Sequence, residues 1–499
     1  MNRLVVVSNR VPRPDQGAQA GGLAVALDGL MERRGGLWFG WSGDISPTAT
    51  QTPIRLESAG AIDFATLDLT PDEHARYYNN FSNGVLWPLL HTLPELMRYD
   101  RADARVYRGV NARMAAALVP LLRPTDLIWV HDYHLLALPA ALRSRGVANP
   151  IGFFLHIPFA SSDVLGAASE VASLVRDLLS ADLLGFQTDN DLHNFVSAAQ
   201  SFAGAEVLDD KLLKFGTRRV RLGVFPVEID SRRFAQTATE MATSGPAIRL
   251  RHSLDPETLL LGIDRLDPTK GLPQRLAGYR RLLEKHPQWH GRATLVQIAA
   301  TSRKEVGSYQ SLRATLDAEA GRLNADLGEP DWQPLRLVTR ACSREVGAAY
   351  MRAARVGLVT PLRDGMNLVA KEFVAAQDPE DPGVLVLSRF AGAAQQLDAA
   401  LLVNPHDSDM VADSLHTALT MGLAERKSRW QALWSRIEDR TPIAWGRGFV
   451  AALHRTASIA TVAGAVGSRS GLNNVHQLAP SRPAAPSEDD DAAEVARDG

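Results

Sequence analysis

Short apolar runs recur along the chain, and most of them lead into a polar loop and then a helical pattern. In the first half they occupy residues 4–7, 126–130, 151–155, 183–186 and 220–227. In the second half they occupy residues 259–263, 294–298, 335–338, 356–359 and 384–387. Runs of this length that are apolar at most positions predict strands that are buried on both faces. Their alternation with helical patterns predicts an α/β protein built on parallel sheets.

One segment, residues 360–372, combines a strand end, a turn signal at Asp364-Gly365 and a helix start. Apolar residues then recur at helical spacing, at Leu368, Val369, Phe373 and Ala376. Backbone amides at a helix N-terminus attract anions, so this segment predicts a phosphate or diphosphate site. The amides concerned run from Met366 to Val369. An ordinary loop with a solvated charged face fits the same segment, and Lys371 is interpreted as a solvated helix residue.

Other loops of the second half carry cations at the same position, the carboxyl end of a strand. Arg265 and Lys270 share the loop region after residues 259–263, and Arg303 follows residues 294–298. Because the carboxyl ends of parallel strands meet at one edge of a sheet, these cations are expected to gather there. Several such loops favour a diphosphate site over solvated surface charge.

Polar residues also follow the strands of the first half. Arg10 follows the first strand, and Gly21-Gly22 opens a helical pattern. Histidine and aspartate follow two further strands, as HDYH at 131–134 and as His156. Two ionisable clusters at two strand ends predict one crevice. A metal site is the rival interpretation, but the histidines lack a third ligand at a recognisable spacing.

Aromatic residues make up only 6% of the chain, yet they concentrate in residues 38–44 and 77–87. Trp41, Tyr78 and Trp87 are among them. Aromatic rings pack on the apolar faces of sugars, and the polar groups of tryptophan and tyrosine reach sugar hydroxyls. Core packing is the alternative for each ring taken singly.

The length of 499 residues exceeds one ordinary core, and the βα rhythm restarts after a break near residue 241. An amphipathic helix is predicted at 441–456, and the composition from about residue 458 predicts a disordered tail.

A formal charge of −2 gives no electrostatic case for nucleic acid, and no apolar run is long enough for a membrane. The single cysteine, Cys342, excludes an intramolecular disulfide and fits a reducing cytoplasm.

Together these residues resemble the trehalose-6-phosphate synthase family of retaining GT-B glucosyltransferases. The resemblance covers residues 3 to 456 and rests on motifs in the family's order: SNR at 8–10, GG at 21–22, LWFGWSG at 37–43, YYN at 77–79, VLWP at 85–88, HDYH at 131–134, GFFLHIP at 152–158, RLD at 265–267, KG at 270–271 and the whole of 360–372. It implies two facing Rossmann-like domains, at 1–240 and 241–440, with a deep cleft between them. It also implies that a helix at 441–457 crosses back to the first domain, ahead of the tail at 458–499.

The resemblance implies a role for each site residue. The acceptor, glucose 6-phosphate, should be bound by Arg10, Trp41, Tyr78, Trp87, Asp132 and Arg303, with the two arginines on its phosphate. The donor, by default UDP-glucose, should be bound by Gly21, Gly22, Arg265, Lys270, Asp364, Gly365, Met366, Asn367, Leu368, Val369 and Glu372. The residues expected at the reaction centre are Asp132, His156, Arg265, Lys270 and Asp364. No metal and no cofactor are implied; the expected partners are these small molecules, and a homo-oligomer stays open.

Three positions depart from the family pattern. Glu228 stands where glycine is usual, Pro268 stands where tyrosine is usual, and the segment ending in Cys342 lacks the residues that normally lie beside the donor base. These departures leave GDP-glucose and ADP-glucose open as donors. The rival functions are a related enzyme with another acceptor, such as glucosylglycerol-phosphate synthase or a pseudo-glycosyltransferase, and a non-catalytic sugar-phosphate sensor.

Overall fold

The computed structural model describes residues 2–12, 22–255, 257–303 and 305–469, and only the backbone of residues 22–26 and 457–469. Met1–Thr456 form one compact unit, to which the account below applies, and Ala457–Gly499 form a second. The strands are β1 Leu4–Arg10, β2 Gly36–Ile45, β3 Arg55–Ala59, β4 Ile62–Leu69, β5 Leu127–His131, β6 Ile151–Phe154, β7 Leu183–Phe186, β8 Glu206–Asp209, β9 Leu212–Phe215, β10 Arg218–Val224, β11 Thr258–Leu266, β12 Ala293–Thr301, β13 Leu335–Val338, β14 Val356–Val359, β15 Val384–Ser388 and β16 Leu401–Val403.

The α-helices are α1 Gly22–Arg34, α2 Pro71–Glu73, α3 Trp87–Leu90, α4 Arg101–Leu118, α5 Leu138–Arg143, α6 Ser162–Leu165, α7 Val171–Leu178, α8 Asp189–Ala203, α9 Ser231–Met241, α10 Gly245–His252, α11 Leu272–Lys285, α12 Gly307–Leu327, α13 Arg344–Ala353, α14 Leu368–Ala376, α15 Ser408–Thr420, α16 Leu423–Ile437 and α17 Pro442–Arg469. A π-helix, His74–Leu86, connects α2 to α3. The short 3₁₀ turns are Pro94–Leu96, Val119–Leu121, Tyr133–Leu135, Pro268–Lys270, Pro287–Trp289 and Gly392–Gln395.

Ten strands form the first sheet, in the order β3-β4-β2-β1-β5-β6-β7-β10-β9-β8. Its central strands are parallel, whereas β3 at one edge and β9 and β8 at the other run antiparallel to their neighbours. The chain order reverses between β1 and β5, and ligands of open α/β sheets bind outside the carboxyl ends of strands at such a reversal. Arg10 ends β1 and Asp132 follows β5, so both stand at this point.

Six parallel strands form the second sheet, in the order β13-β12-β11-β14-β15-β16. The reversal here lies between β11 and β14. The loops that follow these two strands contain Lys270 and Asp364. The α/β class and the two parallel sheets predicted from the apolar runs are therefore confirmed.

Each sheet is covered on both faces, which explains why the runs are apolar without alternation. In β1, Val5 and Val7 pack in one core, while Leu4 and Val6 pack in the core on the opposite face. The second sheet likewise has one core on each face.

The chain leaves the first sheet at the end of β10. Val227 still packs in a core of that sheet, whereas Ile229, Phe234 and Ala238 pack in a core of the second sheet. We therefore propose that the first lobe ends and the second begins within residues 225–230, ahead of the boundary that the sequence predicts at 240–241. Residues 225–230 are called the linker below.

Helix α17 returns the chain to the first lobe. Phe449 and Leu453 pack in the core that contains Leu4 and Val6. Phe449 lies so close to β6 that a Cβ at Gly152 would come 2.7 Å from its ring. The sequence predicts disorder from residue 458; the helix backbone extends to Arg469, and residues 470–499 lie outside the described residues.

Candidate active site

Helix α14 begins at the chain reversal of the second sheet. Asn367 precedes it with φ 69°, and its Oδ1 accepts a hydrogen bond from Ala370 N at 3.3 Å. Asparagine is among the few residues that adopt this left-handed conformation, and its side chain caps the helix. The first amides of an α-helix have no intrahelical acceptor, so the amides of Leu368 and Val369 form a site for an anion.

Three polar side chains meet beside this helix N-terminus. Lys270 Nζ donates a hydrogen bond to Asp364 Oδ2, and Asn367 Nδ2 donates to the same oxygen at 3.0 Å. Only 12% of the Lys270 side chain and 15% of the Asp364 side chain are exposed. The structure thus brings together the loops after β11 and β14 and places a cation beside the helix, which is the arrangement that a diphosphate requires.

One of the departures from the family pattern fits this geometry. Pro268 occupies the first position of the 3₁₀ turn that ends at Lys270, where a missing amide hydrogen costs nothing. Cys342 is partly buried, and burial raises the pKa of its thiol.

Arg265 is exposed at the end of β11, and its guanidinium carbon lies 5.8 Å from the centre of the Trp87 ring.

The loop after β14 also touches the first lobe. Gly365 lies against the backbone of His156, and a Cβ at this position would come 2.3 Å from His156 O. His156 O accepts a hydrogen bond from Gln187 Nε2 at 3.2 Å. Only glycine permits so close an approach. Two predicted site residues from different lobes are therefore in direct contact.

The ring of His156 is partly buried beside the fully buried ring of His131, with His156 Nε2 and His131 Nδ1 3.0 Å apart. Burial lowers the pKa of His156 to about 3. Burial, and then the neighbouring His156, lowers the pKa of His131 as well. These lowered pKa values favour the neutral form of both rings, and a neutral His156 ring can hydrogen-bond a sugar hydroxyl.

Asp132 follows β5 with φ 74°, a conformation that is strained for residues other than glycine. Its Oδ1 accepts a hydrogen bond from His156 N at 3.2 Å. Burial raises the pKa of Asp132 to about 6, although the amides of His156 and Tyr133 and the charges of Arg303 and Arg265 oppose the rise. A titratable carboxyl held in a strained position is typical of a reaction centre.

The predicted acceptor rings of the first lobe form a continuous row. The ring centres of Trp41 and Tyr78 are 5.5 Å apart, and Tyr78 stacks on His134 at 5.7 Å. Tyr133 lies next to His134, at 3.9 Å, and its ring centre is 5.4 Å from that of Trp87. The sequence interpretation missed Tyr133 and His134 as part of this surface, although both belong to the HDYH motif.

Arg10 lies at one end of this row. It pairs in register with Trp41 of β2, and its guanidinium lies against Gly43. Gly21, predicted at the donor, lies outside the described residues. Gly22 begins α1, and only its backbone is described.

Arg303 reaches the other end of the row from the second lobe. Its guanidinium carbon lies 4.0 Å from the centre of the Trp87 ring, and its Nη2 donates a hydrogen bond to Tyr133 Oη at 3.0 Å. Only 11% of its side chain is exposed. Stacking and hydrogen bonding hold this guanidinium in one orientation, which suits the binding of a phosphate.

Asp267, which the sequence interpretation did not assign to the site, joins the two predicted subsites. Trp87 Nε1 donates a hydrogen bond to its Oδ1 at 3.3 Å, and Tyr309 Oη donates to its Oδ2 at 2.8 Å. Burial alone would raise the pKa of Asp267, but Arg303 and other nearby cations outweigh burial and lower it. The sequence signal that could have identified Asp267 was its place in the RLD motif at 265–267.

Glu372, predicted at the donor, lies one turn into α14. Arg344 Nη2 donates a hydrogen bond to its Oε1 at 2.9 Å. Burial raises the pKa of Glu372, and Arg344 opposes the rise. Arg344 therefore already balances part of the negative charge of the Glu372 carboxylate.

The interpretation of Lys371 as a solvated residue is wrong. Its side chain is fully buried, and Nζ donates hydrogen bonds to Val227 O at 2.9 Å and to Glu228 Oε2 at 2.6 Å. Helical spacing places Lys371 on the same face of α14 as the buried Val374 and Ala375, and the linker covers that face, which the charge of the residue alone does not reveal.

Across the described part of the chain, no helix combines the length and apolar character needed to span a bilayer. In the same residues, no group of three or more histidine, cysteine, aspartate or glutamate side chains is arranged to hold a metal ion.

Comparisons with known proteins show the family. Residues 3–455 match the model of glycosyltransferase family 20. Trehalose-6-phosphate synthase of Sinorhizobium fredii is 45% identical over 453 residues, which are 90% of this chain and 98% of that protein.

Solved structures agree with this match. An alpha,alpha-trehalose-phosphate synthase (UDP-forming) from Burkholderia xenovorans, in complex with glucose-6-phosphate, is 44% identical with a TM-score of 0.87, over 91% of this chain and 100% of that one. A structure from E. coli, bound with UDP-2-fluoro glucose, is 43% identical with a TM-score of 0.85, over 91% of this chain and 99% of that one. The chain therefore belongs to glycosyltransferase family 20, and it is a glycosyltransferase of GT-B architecture.

Proposed function

We propose that this enzyme transfers glucose from UDP-glucose to glucose 6-phosphate with retention, forming α,α-trehalose 6-phosphate and UDP. The observation that carries the proposal is the position of Asp267. Its carboxylate binds Trp87 of the first lobe, and its loop holds Lys270 against Asp364 at the start of α14. These contacts support one cleft for the residues expected at the acceptor and those expected at the donor. The ligands named for the Burkholderia xenovorans and E. coli structures support the same pair of substrates.

For the donor, we propose that the diphosphate lies at the N-terminus of α14 with Lys270 and Arg265 as counter-charges. The first amides and the dipole of the helix stabilise the negative charge that grows on the leaving UDP. Lys270 then exchanges Asp364 for a diphosphate oxygen. The Asp364 carboxylate is thereby released to accept a hydrogen bond from a glucose hydroxyl. Glu372 accepts a hydrogen bond from the ribose.

For the acceptor, we propose that Arg10 and Arg303 bind the 6-phosphate while the rings of Trp41, Tyr78 and Trp87 pack against the sugar. The acceptor hydroxyl attacks the anomeric carbon on the face from which UDP departs. The new C–O bond forms as the bond to the diphosphate breaks, and a diphosphate oxygen takes the proton. This route needs no carboxylate nucleophile, so stabilising the leaving group is the largest contribution of the protein.

The test is turnover by the purified protein with UDP-glucose and glucose 6-phosphate. We expect release of UDP, measured with a coupled assay, and a non-reducing disaccharide phosphate whose two α-configured anomeric centres are visible by NMR. Failure to turn over any nucleotide-glucose contradicts the enzymatic proposal. Turnover with glycerol 3-phosphate alone contradicts the acceptor. Parallel reactions with GDP-glucose and ADP-glucose decide the nucleobase, which the departure at Cys342 leaves open.

We propose that catalysis needs no metal, because Arg265, Lys270 and the N-terminus of α14 supply the positive charge at the diphosphate. The rate is expected to be the same with and without EDTA; a loss that Mg²⁺ restores contradicts this. The single cysteine supports the further proposal that the enzyme works in a reducing compartment such as the cytoplasm.

A further inference from the structure

A buried ion pair connects the linker to the donor helix. Lys371 belongs to the first turn of α14, two residues after Val369. Its side chain has no exposed area, and that of Glu228 in the linker is only 6% exposed. Besides Glu228 Oε2, the Lys371 ammonium binds the backbone oxygen of Val227. The start of α14 is thus attached to the linker by two hydrogen bonds.

The other carboxylate oxygen of Glu228 binds the second crossing between the lobes. Glu228 Oε1 accepts hydrogen bonds from Gln396 Nε2 at 3.1 Å and from Arg440 Nη1 at 3.2 Å. Arg440 lies just before α17, which returns the chain to the first lobe. Ser231 Oγ also donates to Ile437 O at 3.0 Å. Both crossings and the donor helix therefore meet at Glu228.

The linker continues this connection to His156. Val227 N donates a hydrogen bond to Gln187 Oε1 at 2.9 Å, and Gln187 Nε2 donates to His156 O. Val227 therefore binds Lys371 through its carbonyl and Gln187 through its amide. His156 O is also the atom against which Gly365 packs. Two routes, one direct and one through the linker, thus set His156 against the start of α14.

Electrostatics make this pair sensitive to substitution. Burial lowers the pKa of Lys371, and the charge of Glu228 opposes that effect. Removal of Glu228 leaves Lys371 charged and buried without this partner, which is unfavourable, whereas removal of Lys371 leaves Glu228 with Arg440 as its remaining cation. Removal of both members of the pair leaves neither of these buried charges. A glycine or any other uncharged residue at position 228 would give Lys371 no counter-charge from the linker.

We propose that Glu228 and Lys371 are positioning residues, whose ion pair sets the N-terminus of α14 in the second lobe against His156 in the first lobe. The pair touches no substrate; it holds in register the two walls of the donor site. The donor part of this inference rests on the proposed function, whereas the effect on the register of the lobes does not.

The first test is UDP binding by calorimetry to Glu228→Gln, Lys371→Met and the double variant. Each single substitution is expected to weaken UDP binding about tenfold. The double variant should bind UDP no more weakly than whichever single variant has the lower UDP affinity, because the two residues act as one unit. In turnover, the KM for UDP-glucose should rise more than the KM for glucose 6-phosphate, a difference that general destabilisation does not produce.

The matched control is Asp126→Asn. Asp126 is a fully buried carboxylate that pairs with Arg3 at 2.6 Å, at the opposite end of the first sheet. Its loss should lower the melting temperature without changing UDP affinity. If the two linker variants alter UDP affinity no more than this control does, the proposal is overturned.

The second test measures the register of the lobes without substrate. Spin labels are placed on the exposed positions Arg105 of α4 and Arg322 of α12 in a Cys342→Ala background. Double electron–electron resonance should give one narrow distance distribution for the parent and for Asp126→Asn, and a broader one for Glu228→Gln and Lys371→Met. Identical distributions overturn the proposal. A parent protein that binds no UDP contradicts the proposed function instead, and the distance measurement still decides the role of the pair.

Discussion

Backbone strain in this protein concentrates at the candidate site. Among the described residues other than glycine, those with positive φ are Thr92, Asp132, Arg303 and Asn367. Three of these four are site residues. Such conformations persist only where the surroundings over-determine them, and they supply the preorganisation that catalysis requires.

Arg303 carries the first residue-level prediction. Arg303→Ala should raise the KM for glucose 6-phosphate about ten- to a hundredfold, because a charge-assisted hydrogen bond contributes about 1.5–3 kcal/mol. The KM for UDP-glucose should change little. Steady-state kinetics with each substrate varied in turn measure the split. Arg322→Ala, an exposed arginine on α12, is the control, and a larger effect on the donor KM would overturn the role of Arg303.

Asp132 predicts a pH dependence of activity. The proposed role requires a carboxylate that accepts a hydrogen bond from the acceptor, so kcat/KM should rise as the pH passes through the pKa of about 6. Asp132→Asn should lower kcat/KM and abolish this acidic limb. If the variant keeps an acidic limb at the same pH, that limb belongs to another group.

The pKa of Asp132 also predicts a pH dependence of stability: activity should rise with pH, whereas the contribution of Asp132 to the free energy of unfolding should fall. A carboxyl whose pKa rises on folding from 3.8 to about 6 stabilises the fold at low pH, and this contribution is lost as the pH rises through that interval. Chemical denaturation at several pH values should therefore show a smaller decrease between pH ~4 and ~7 in Asp132→Asn than in the parent. Equal slopes would show that the carboxyl is not perturbed.

At the scale of elements, the donor site depends on how closely the start of α14 approaches the first lobe. Gly365→Ala places a methyl group 2.3 Å from His156 O, so the loop before α14 and the backbone of His156 must move apart. We expect loss of most UDP affinity and activity, together with a lower melting temperature. Calorimetry and thermal unfolding measure both effects.

Gly321→Ala is the matched control for that prediction. Gly321 lies within α12, where an added Cβ meets nothing within 4 Å. The same substitution there should stabilise the protein by about 0.5–1 kcal/mol and leave activity unchanged. Equal behaviour of the two variants would contradict the close contact at Gly365.

The elements that the sequence predicted are those that local chemistry determines. Buried parallel strands such as β7 and β14 are uninterrupted apolar runs, and their bounds were predicted in full. The edge strands β3 and β8 are mostly exposed and carry no such run. The π-helix His74–Leu86 has no sequence signature of its own, although it presents Tyr78 to the row of rings.

Contacts between candidate site residues were predicted where both residues follow strands of one sheet, and they were missed where the partners belong to different parts of the fold. Lys270 and Asp364 both follow strands at the reversal of one sheet, so topology alone brings them together. The contact of Asp267 with Trp87 joins the two lobes, and that of Lys371 with Glu228 joins the second lobe to the linker. Neither local periodicity nor motif spacing carries information about such contacts.

At the scale of the whole molecule, α17 binds the end of the described chain to its beginning. Phe449 stacks on Trp129 with a ring separation of 4.5 Å and lies against Gly152 and Gly185 of two central strands. The helix thus completes one face of the first sheet. The integrity of the first lobe therefore depends on residues that follow the second lobe.

Phe449→Ala tests this dependence. The substitution should reduce the free energy of unfolding by about 3–5 kcal/mol, as removal of a buried ring from a packed core does. Leu423→Ala, at a position that is 45% exposed on α16, should cost about 0.5 kcal/mol or less. Denaturant titrations of both variants provide the comparison, and a small loss at Phe449 would show that the face is stable without the helix.

The position of α17 also has a consequence for biosynthesis. Domains of a growing polypeptide generally fold in the order in which they leave the ribosome. Here the core that contains Leu4, Val6 and Trp129 receives Phe449 and Leu453 only after the whole second lobe has been translated. A nascent chain, or one truncated before residue 442, therefore exposes an apolar sheet face to chaperones and to aggregation until the last helix arrives.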